Sequence, residues 1–276
     1  PMHKDYYHMR IDEKFETGLA ILHLDEINWK TGCPMANVKS TLEDENFDFV
    51  EAFRISAEEV AERMSRYGLT VRPYQNATLP HYKSLSTEQQ RRSLKNLSVY
   101  LQSIKLTEAN GDRFDDSGRS LWHALSALGF VPPSDLFAKL PPGVAVEIYD
   151  TDGIQVWRNW ETMRVCSYTL EEIHTMEWHR RYERDERINA LCFQVISDIL
   201  EGRVSEVYDP KIPTHALLET CSMEGFLLDV QFEFLARLKD RQGQPAAFLL
   251  AATVKSAKKT RALDMGPALR PVEVDL

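Results

Sequence analysis

Side chains that could hold a metal or move a proton gather in one short stretch, Glu171 to His179. Glu171-x-x-His174 has the spacing that di-iron carboxylate bundles place on a helix. Such a site needs a second copy and further glutamates, and neither occurs. His174-x-x-Glu177-x-His179 is one residue off zincin spacing, so a helix would not set both histidines on one face. Both histidines therefore read as surface or linker residues, and the expected metal ligands are none. Nucleophile and phosphate signatures are also missing: there is no Gly-x-Ser-x-Gly elbow, Walker loop or Gly-x-Gly-x-x-Gly. The sequence thus points to no catalytic residue and no enzyme. Pro1-Met2 reads as a tag scar, and His3-Lys4-Asp5 gives no support to an N-terminal catalytic proline.

The four cysteines, Cys33, Cys166, Cys192 and Cys221, are widely spaced, which excludes a zinc ribbon and gives no disulfide framework. Reduced thiols and a cytoplasmic location follow as expectations. Cys33-Pro34 reads as a turn. Acidic residues exceed basic ones by 42 to 33, for a formal charge of -9, so a phosphate-binding surface and a nucleic-acid partner are not expected. No apolar run approaches the length of a membrane span, and the charged N-terminus has no signal-peptide core, so no membrane partner is expected either.

At 276 residues the chain is long enough for two domains. Gly18 to Leu24 resembles a strand, and helix signals follow. Ser56-Ala-Glu-Glu59 is a capping box that should open a helix ending at Gly68. A second helix is expected from Ser86 or Thr87 to near Gly111, with Leu94, Leu97, Val99, Leu101 and Ile104 toward a core. A third runs from Ser117 to a cap at Gly129, and a short one from Ser134 to Leu140 precedes Pro141-Pro142-Gly143. That stiff run marks the expected boundary: a mainly helical domain over 1–140, a second domain over 143–257, and a tail or linker over 258–276.

Beyond it the period becomes two. Val144, Val146 and Ile148 alternate with Ala145, Glu147 and Tyr149; after the turn Asp150-Thr-Asp-Gly153, Ile154 and Val156 resume the pattern. Thr169-Leu-Glu-Glu172 is a second capping box. Ile188, Leu191, Cys192, Val195, Ile196 and Ile199 form a helical stripe closed by Gly202. Strands are expected over 214–221, 225–239 and 245–254. In the middle one, Phe226, Leu228, Val230, Phe232 and Phe234 should share the inner face, leaving Asp229 and Glu233 outward.

This order, two strands, short helices, then three strands, resembles the PAS fold. Glu147-Ile-Tyr-Asp-Thr-Asp-Gly153 is similar to the family's first hairpin. Ser167-Tyr-Thr-Leu-Glu-Glu-Ile173 is similar to its Gly-Tyr-(Ser/Thr)-x-Glu-Glu-Leu stretch, with Ser167 in place of glycine. Lys239-Asp-Arg-Gln-Gly243 resembles its Lys-Asp-x-x-Gly turn. The resemblance implies an α+β molecule: a mainly helical N-terminal domain, then an antiparallel five-stranded sheet with flanking helices.

Haem-binding relatives supply a histidine from the central helix, and the 188–199 stripe has none. Photoactive flavin domains need Asn-Cys-Arg, whereas Cys192 lies in Leu-Cys-Phe as a small buried thiol. The expected cofactors are none. Aromatic residues could instead fill a dry core or line a site for an apolar or aromatic small molecule. The candidate ligand-binding residues are Trp157, Trp178, Cys192, Phe193, Ile196, Phe232 and Phe234. Leu121, Trp122 and Leu125 could either pack inside the helical domain or form a homodimer contact. The leading reading is a cytoplasmic, bacterial-type signalling protein that regulates an output by ligand-biased association. One alternative is a ligand-free adaptor binding a partner or output-domain protein; a third is a small-molecule enzyme with a PAS-like, cone-shaped fold.

Overall fold

The computed structural model describes residues 47–220 and 224–261. Gly18–Leu24, Cys33-Pro34, Cys221 and the chain beyond residue 261 lie outside the described residues. The described residues from Asp48 onward pack as one compact unit.

Five helices come first: α1 (Phe49–Arg66), α2 (Pro80–Lys83), α3 (Thr87–Ala109), α4 (Ser117–Leu128) and α5 (Leu136–Lys139). The capping box at Ser86 is present, with Gln89 closing the reciprocal bond, and Asp116 caps α4 through the Arg119 N–H. Gly129 ends α4 in the left-handed region, φ 69°. One start signal misleads. Helix α1 begins not at Ser56 but at Asp48, whose side chain accepts from the Glu51 N–H. Phe53, Ala57, Val60 and Met64 make one buried stripe, so packing carries the helix through the Ser56 box and buries Ser56 itself.

The remainder is one antiparallel sheet with short helices: β1 (Ala145–Asp150), β2 (Gln155–Arg158), α6 (Trp160–Arg164), α7 (Leu170–Thr175), α8 (Trp178–Arg181), β3 (Tyr182–Glu183), α9 (Glu186–Leu200), β4 (Val207–Tyr208), β5 (His215–Glu219), β6 (Glu224–Lys239) and β7 (Pro245–Arg261). The strand order is β2-β1-β7-β6-β5-β3, with β4 added on β6. The protein is therefore α+β, and the expected strands do join one antiparallel sheet. Two short strands, β3 and β4, bring the sheet to seven where five were expected.

Register sets what faces the helices. Ala145, Glu147 and Tyr149 lie opposite Ala252, Leu250 and Phe248. On β6 the alternation holds through Leu228, Val230 and Phe232, then breaks at an irregularity between Phe232 and Phe234. The extra residue, Glu233, turns the chain over. Leu235 then continues the face begun by Phe232, and Phe234 points to the other side. The expectation of five same-face residues fails at that bulge. On α9, Ile188, Cys192, Val195 and Ile199 are buried, whereas Leu191 is 43% exposed at the edge of the stripe.

The two halves are joined through backbone. The Leu170 and Glu171 N–H groups donate to the Arg72 and Pro73 carbonyls, and the Tyr82 N–H donates to Glu171 Oε1 at 3.0 Å. The Tyr100 hydroxyl donates to the Arg158 carbonyl at 3.3 Å.

Candidate functional site

Between α9 and one face of the sheet lies a cavity of about 70 Å³. Its floor is β-sheet: Ala145, Glu147 and Tyr149 from β1, Leu228, Val230 and Phe232 from β6, and Phe248, Leu250 and Ala252 from β7. Cys192, Val195 and Ile196 of α9 form the roof, and Trp178, Tyr182 and Arg184 close one side. One water-sized probe occupies roughly 10–15 Å³, so the space suits several waters or one small ring. The walls are mostly apolar, which favours the ring.

Local structure fixes Trp178. The turn Asp150–Gly153 closes on the Asp150 carboxylate, which accepts from the Asp152 and Ile154 N–H groups at 3.0 Å. Gly153 has φ 79°, and a Cβ there would stand 2.8 Å from Trp178 Cδ1. Glycine is thus required twice, for its backbone angle and for the close approach of the indole. The Trp178 N–H donates to the Gly153 carbonyl at 3.0 Å.

Of the residues singled out from the sequence, Trp178, Cys192, Ile196 and Phe232 meet at this cavity. Trp157 borders a smaller void of about 20 Å³ with Tyr100, Arg158 and Trp160. Phe193 is 45% exposed, its ring 4.8 Å from that of Trp178. Phe234 is buried beyond the bulge. Leu121 and Leu125 are buried within the chain, while Trp122 is 40% exposed with its ring 6.0 Å from Phe137.

Sequence reasoning did not find the polar residues beside the cavity. Arg158 and Arg181 are both buried. Arg158 Nε donates to Gln155 Oε1 at 2.9 Å, its Nη1 lies 2.5 Å from Cys166 Sγ, and its Nη2 lies 3.5 Å from Glu147 Oε1. Arg181 Nη1 donates to the same Gln155 oxygen at 2.9 Å, and Nη2 to the Tyr149 hydroxyl at 3.3 Å. The Tyr149 hydroxyl donates to Glu147 Oε2 at 2.7 Å. The rings of Tyr149, Tyr182 and Tyr168 lie 5.6, 5.8 and 5.9 Å from the Arg181 guanidinium. Their π faces supply part of the stabilisation that water would otherwise give a buried cation.

Burial, modified by these charges, sets the neighbours' protonation. Burial, reinforced by Arg158 and Arg181, pushes the His174 imidazole down to about 3, so it is neutral. Burial lifts the Cys166 thiol to about 11 despite Arg158 beside it, so it is not a thiolate nucleophile at neutral pH. Glu219, fully buried, accepts from the Ser167 and Phe226 N–H groups at 3.0 and 2.8 Å and from the Ser167 hydroxyl. It thereby joins β5 to the loop before α7. Among the described residues, no three His, Cys, Asp or Glu side chains gather as a metal-ligand set, and no helix is long and apolar enough to cross a membrane.

No family model matches the chain, and no curated protein matches it. Among solved structures it is similar to an RNA-binding Light-Oxygen-Voltage receptor, at 13% identity and a TM-score of 0.26, over 64% of this chain and 57% of that one. The chain spans just over half the length of that receptor, and at this TM-score the likeness carries no argument.

Proposed function

We propose that residues 143–257 form a PAS-like sensory module that binds a small apolar or aromatic molecule. In this reading residues 1–140 are an N-terminal domain and the protein is a cytoplasmic signalling component regulating an output by ligand-biased association. The observation that carries the reading is the largely apolar cavity between α9 and the sheet. The hairpin β1–β2, the short helices that follow it and the longer strands β5, β6 and β7, all in one antiparallel sheet, support it. A ligand acts in such a protein by binding two states unequally, and α9, which roofs the cavity while exposing Leu191 and Phe193, is the element placed to report occupancy.

Toluene, observed by NMR while it exchanges on and off the full chain, tests the reading. Saturation transfer from the protein is expected, and Ile196→Trp, which fills the cavity from its roof, should abolish it. Undiminished transfer to toluene in a folded Ile196→Trp protein would place binding elsewhere and remove the proposal. A subordinate part is a homodimer contact through α4, favoured by the exposure of Trp122 on a helix that buries Leu121 and Leu125.

A further inference from the structure

Three arginines stand beside the cavity, and two of them have neighbours that answer their charge. Arg158 and Arg181 share the Gln155 oxygen, and the Glu147–Tyr149 pair lies against both. Arg184, in the link between β3 and α9, lines the cavity itself. Its guanidinium lies 4.9 Å from the Trp178 ring and 6.0 Å from the Tyr182 ring. Its Nη1 reaches only a sulfur, Cys192 Sγ at 3.5 Å, and its buried Nε has no hydrogen-bond partner. Among the described residues no carboxylate lies within ion-pair distance of it. Nearby, buried His215 gives its Nδ1 to the Pro213 carbonyl at 2.9 Å, leaving Nε2 without a partner; burial and then the Arg184 charge hold it neutral.

An always-charged guanidinium on the wall of an apolar cavity, stacked on an indole and short of acceptors, is incomplete as a structural element. Its fork of N–H donors matches one ligand class above others. We infer that the cavity receives a small organic acid, with a single carboxylate on Arg184 and an apolar, ring-sized body between α9 and the sheet. This rests on the cavity being a ligand site, as proposed above. A neutral hydrocarbon would leave the Arg184 donors as they are. An amine would meet the cation directly. A polyphosphate or nucleotide exceeds about 70 Å³, and a second carboxylate on the ligand would face Glu147 and otherwise apolar wall. A monocarboxylate satisfies the Arg184 charge on the cavity wall and leaves its body to the apolar surface, where burial is favourable.

Three isosteric probes, benzoate, benzamide and benzamidinium, decide this by titration calorimetry on the full chain at low salt. Benzoate is expected to bind about tenfold or more tightly than benzamide, the ordinary advantage of a charged over a neutral hydrogen-bonded pair, with benzamidinium weakest. Arg184→Gln should bring benzoate down to the level of benzamide while leaving benzamide unchanged. Benzamide binding as tightly as benzoate in the wild type would overturn the carboxylate assignment and leave the cavity a ligand site. Failure of all three probes to bind, while toluene still shows saturation transfer, would likewise remove only the carboxylate. Failure of toluene as well would remove both. Should Arg184→Gln not fold, as judged by circular dichroism, the ranking of the three probes on the wild type still decides the matter.

Discussion

The helical half and the sheet half treat charge in opposite ways. Over residues 49–139 ion pairs run along helix α1, Arg54 with Glu51 and Glu58 and Arg66 with Glu62, or join α1 to α3 half-buried, as Lys105 with Glu59 does. Such pairs sit in high dielectric and contribute little each. Beyond Gly143 the surface keeps pairs of its own at Arg180, Arg203 and Lys211, but Arg158 and Arg181 are buried behind the wall of an apolar cavity and Arg184 stands on it. Interior charge is costly unless answered, so its concentration around one cavity marks where the fold carries a constraint that stability alone does not impose.

Breaking the interior charge should give the largest effect. Arg158→Ala removes the cation that faces Glu147 and leaves that carboxylate beside the cavity with a buried oxygen lacking any hydrogen bond. The expected loss is about 3–5 kcal/mol in urea unfolding, the usual cost of orphaning one partner of a buried pair. A loss below about 1 kcal/mol would mean that the pair is solvated and that the two halves handle charge alike. Phe232→Ala should follow at roughly 3 kcal/mol, the low side for a buried phenylalanine because the site already borders open space. A melting temperature that does not change would show that Phe232 is not on the packed face.

Acid should act on the same interior. His174 titrates near 3 in the folded protein and near 6.5 in an unfolded chain. Its folded value is depressed, so its neutral form favours the fold above about pH 6.5, and stability is lost as pH falls from there toward 3. At pH 5 the loss amounts to about 2 kcal/mol for this residue alone. His174→Gln should flatten the decline in thermal stability between pH 7 and pH 5. A wild-type melting temperature constant over that range would show that His174 is accessible to water.

Legibility in the sequence divides along the same line. The helix start at Ser86, the cap at Thr169 and the glycines at 129 and 153 act through neighbours three or four residues away, and each was readable from spacing; the Asp116 cap was not read. So were the five longer strands, whereas the two-residue strands β3 and β4 are too short to show a period. Ser56 misled because α1 is long enough for its buried stripe to run through a perfectly formed cap signal. Phe234 misled because one inserted residue reverses a strand face and leaves no mark in composition. The cavity's charges were the least readable. Glu147 and Tyr149 look outward-facing in an alternating strand, yet both faces of β1 are covered, so polarity no longer reports direction. Arg158, Arg181 and Arg184 sit in no motif, and only the fold brings them to one place.

The smallest effect is expected on the helical half, at Trp122. Its ring is 40% exposed and tilts against Phe137 at 6.0 Å, whereas Leu121 and Leu125 on the same helix are buried. A charge at 122 therefore meets water rather than core, and Trp122→Glu should cost less than about 1 kcal/mol, as most surface substitutions do. Stability alone would then make the residue look unimportant. Sedimentation adds what stability leaves out. If the exposed indole lies on a two-fold contact, the wild type sediments as a dimer and the folded variant as a monomer, because two carboxylates would face each other across the axis. A wild type that stays monomeric at high micromolar concentration sinks the dimer and leaves Trp122 as one more surface aromatic, an ordinary occurrence. A variant that unfolds would instead place Trp122 in the core, against its exposure in the fold.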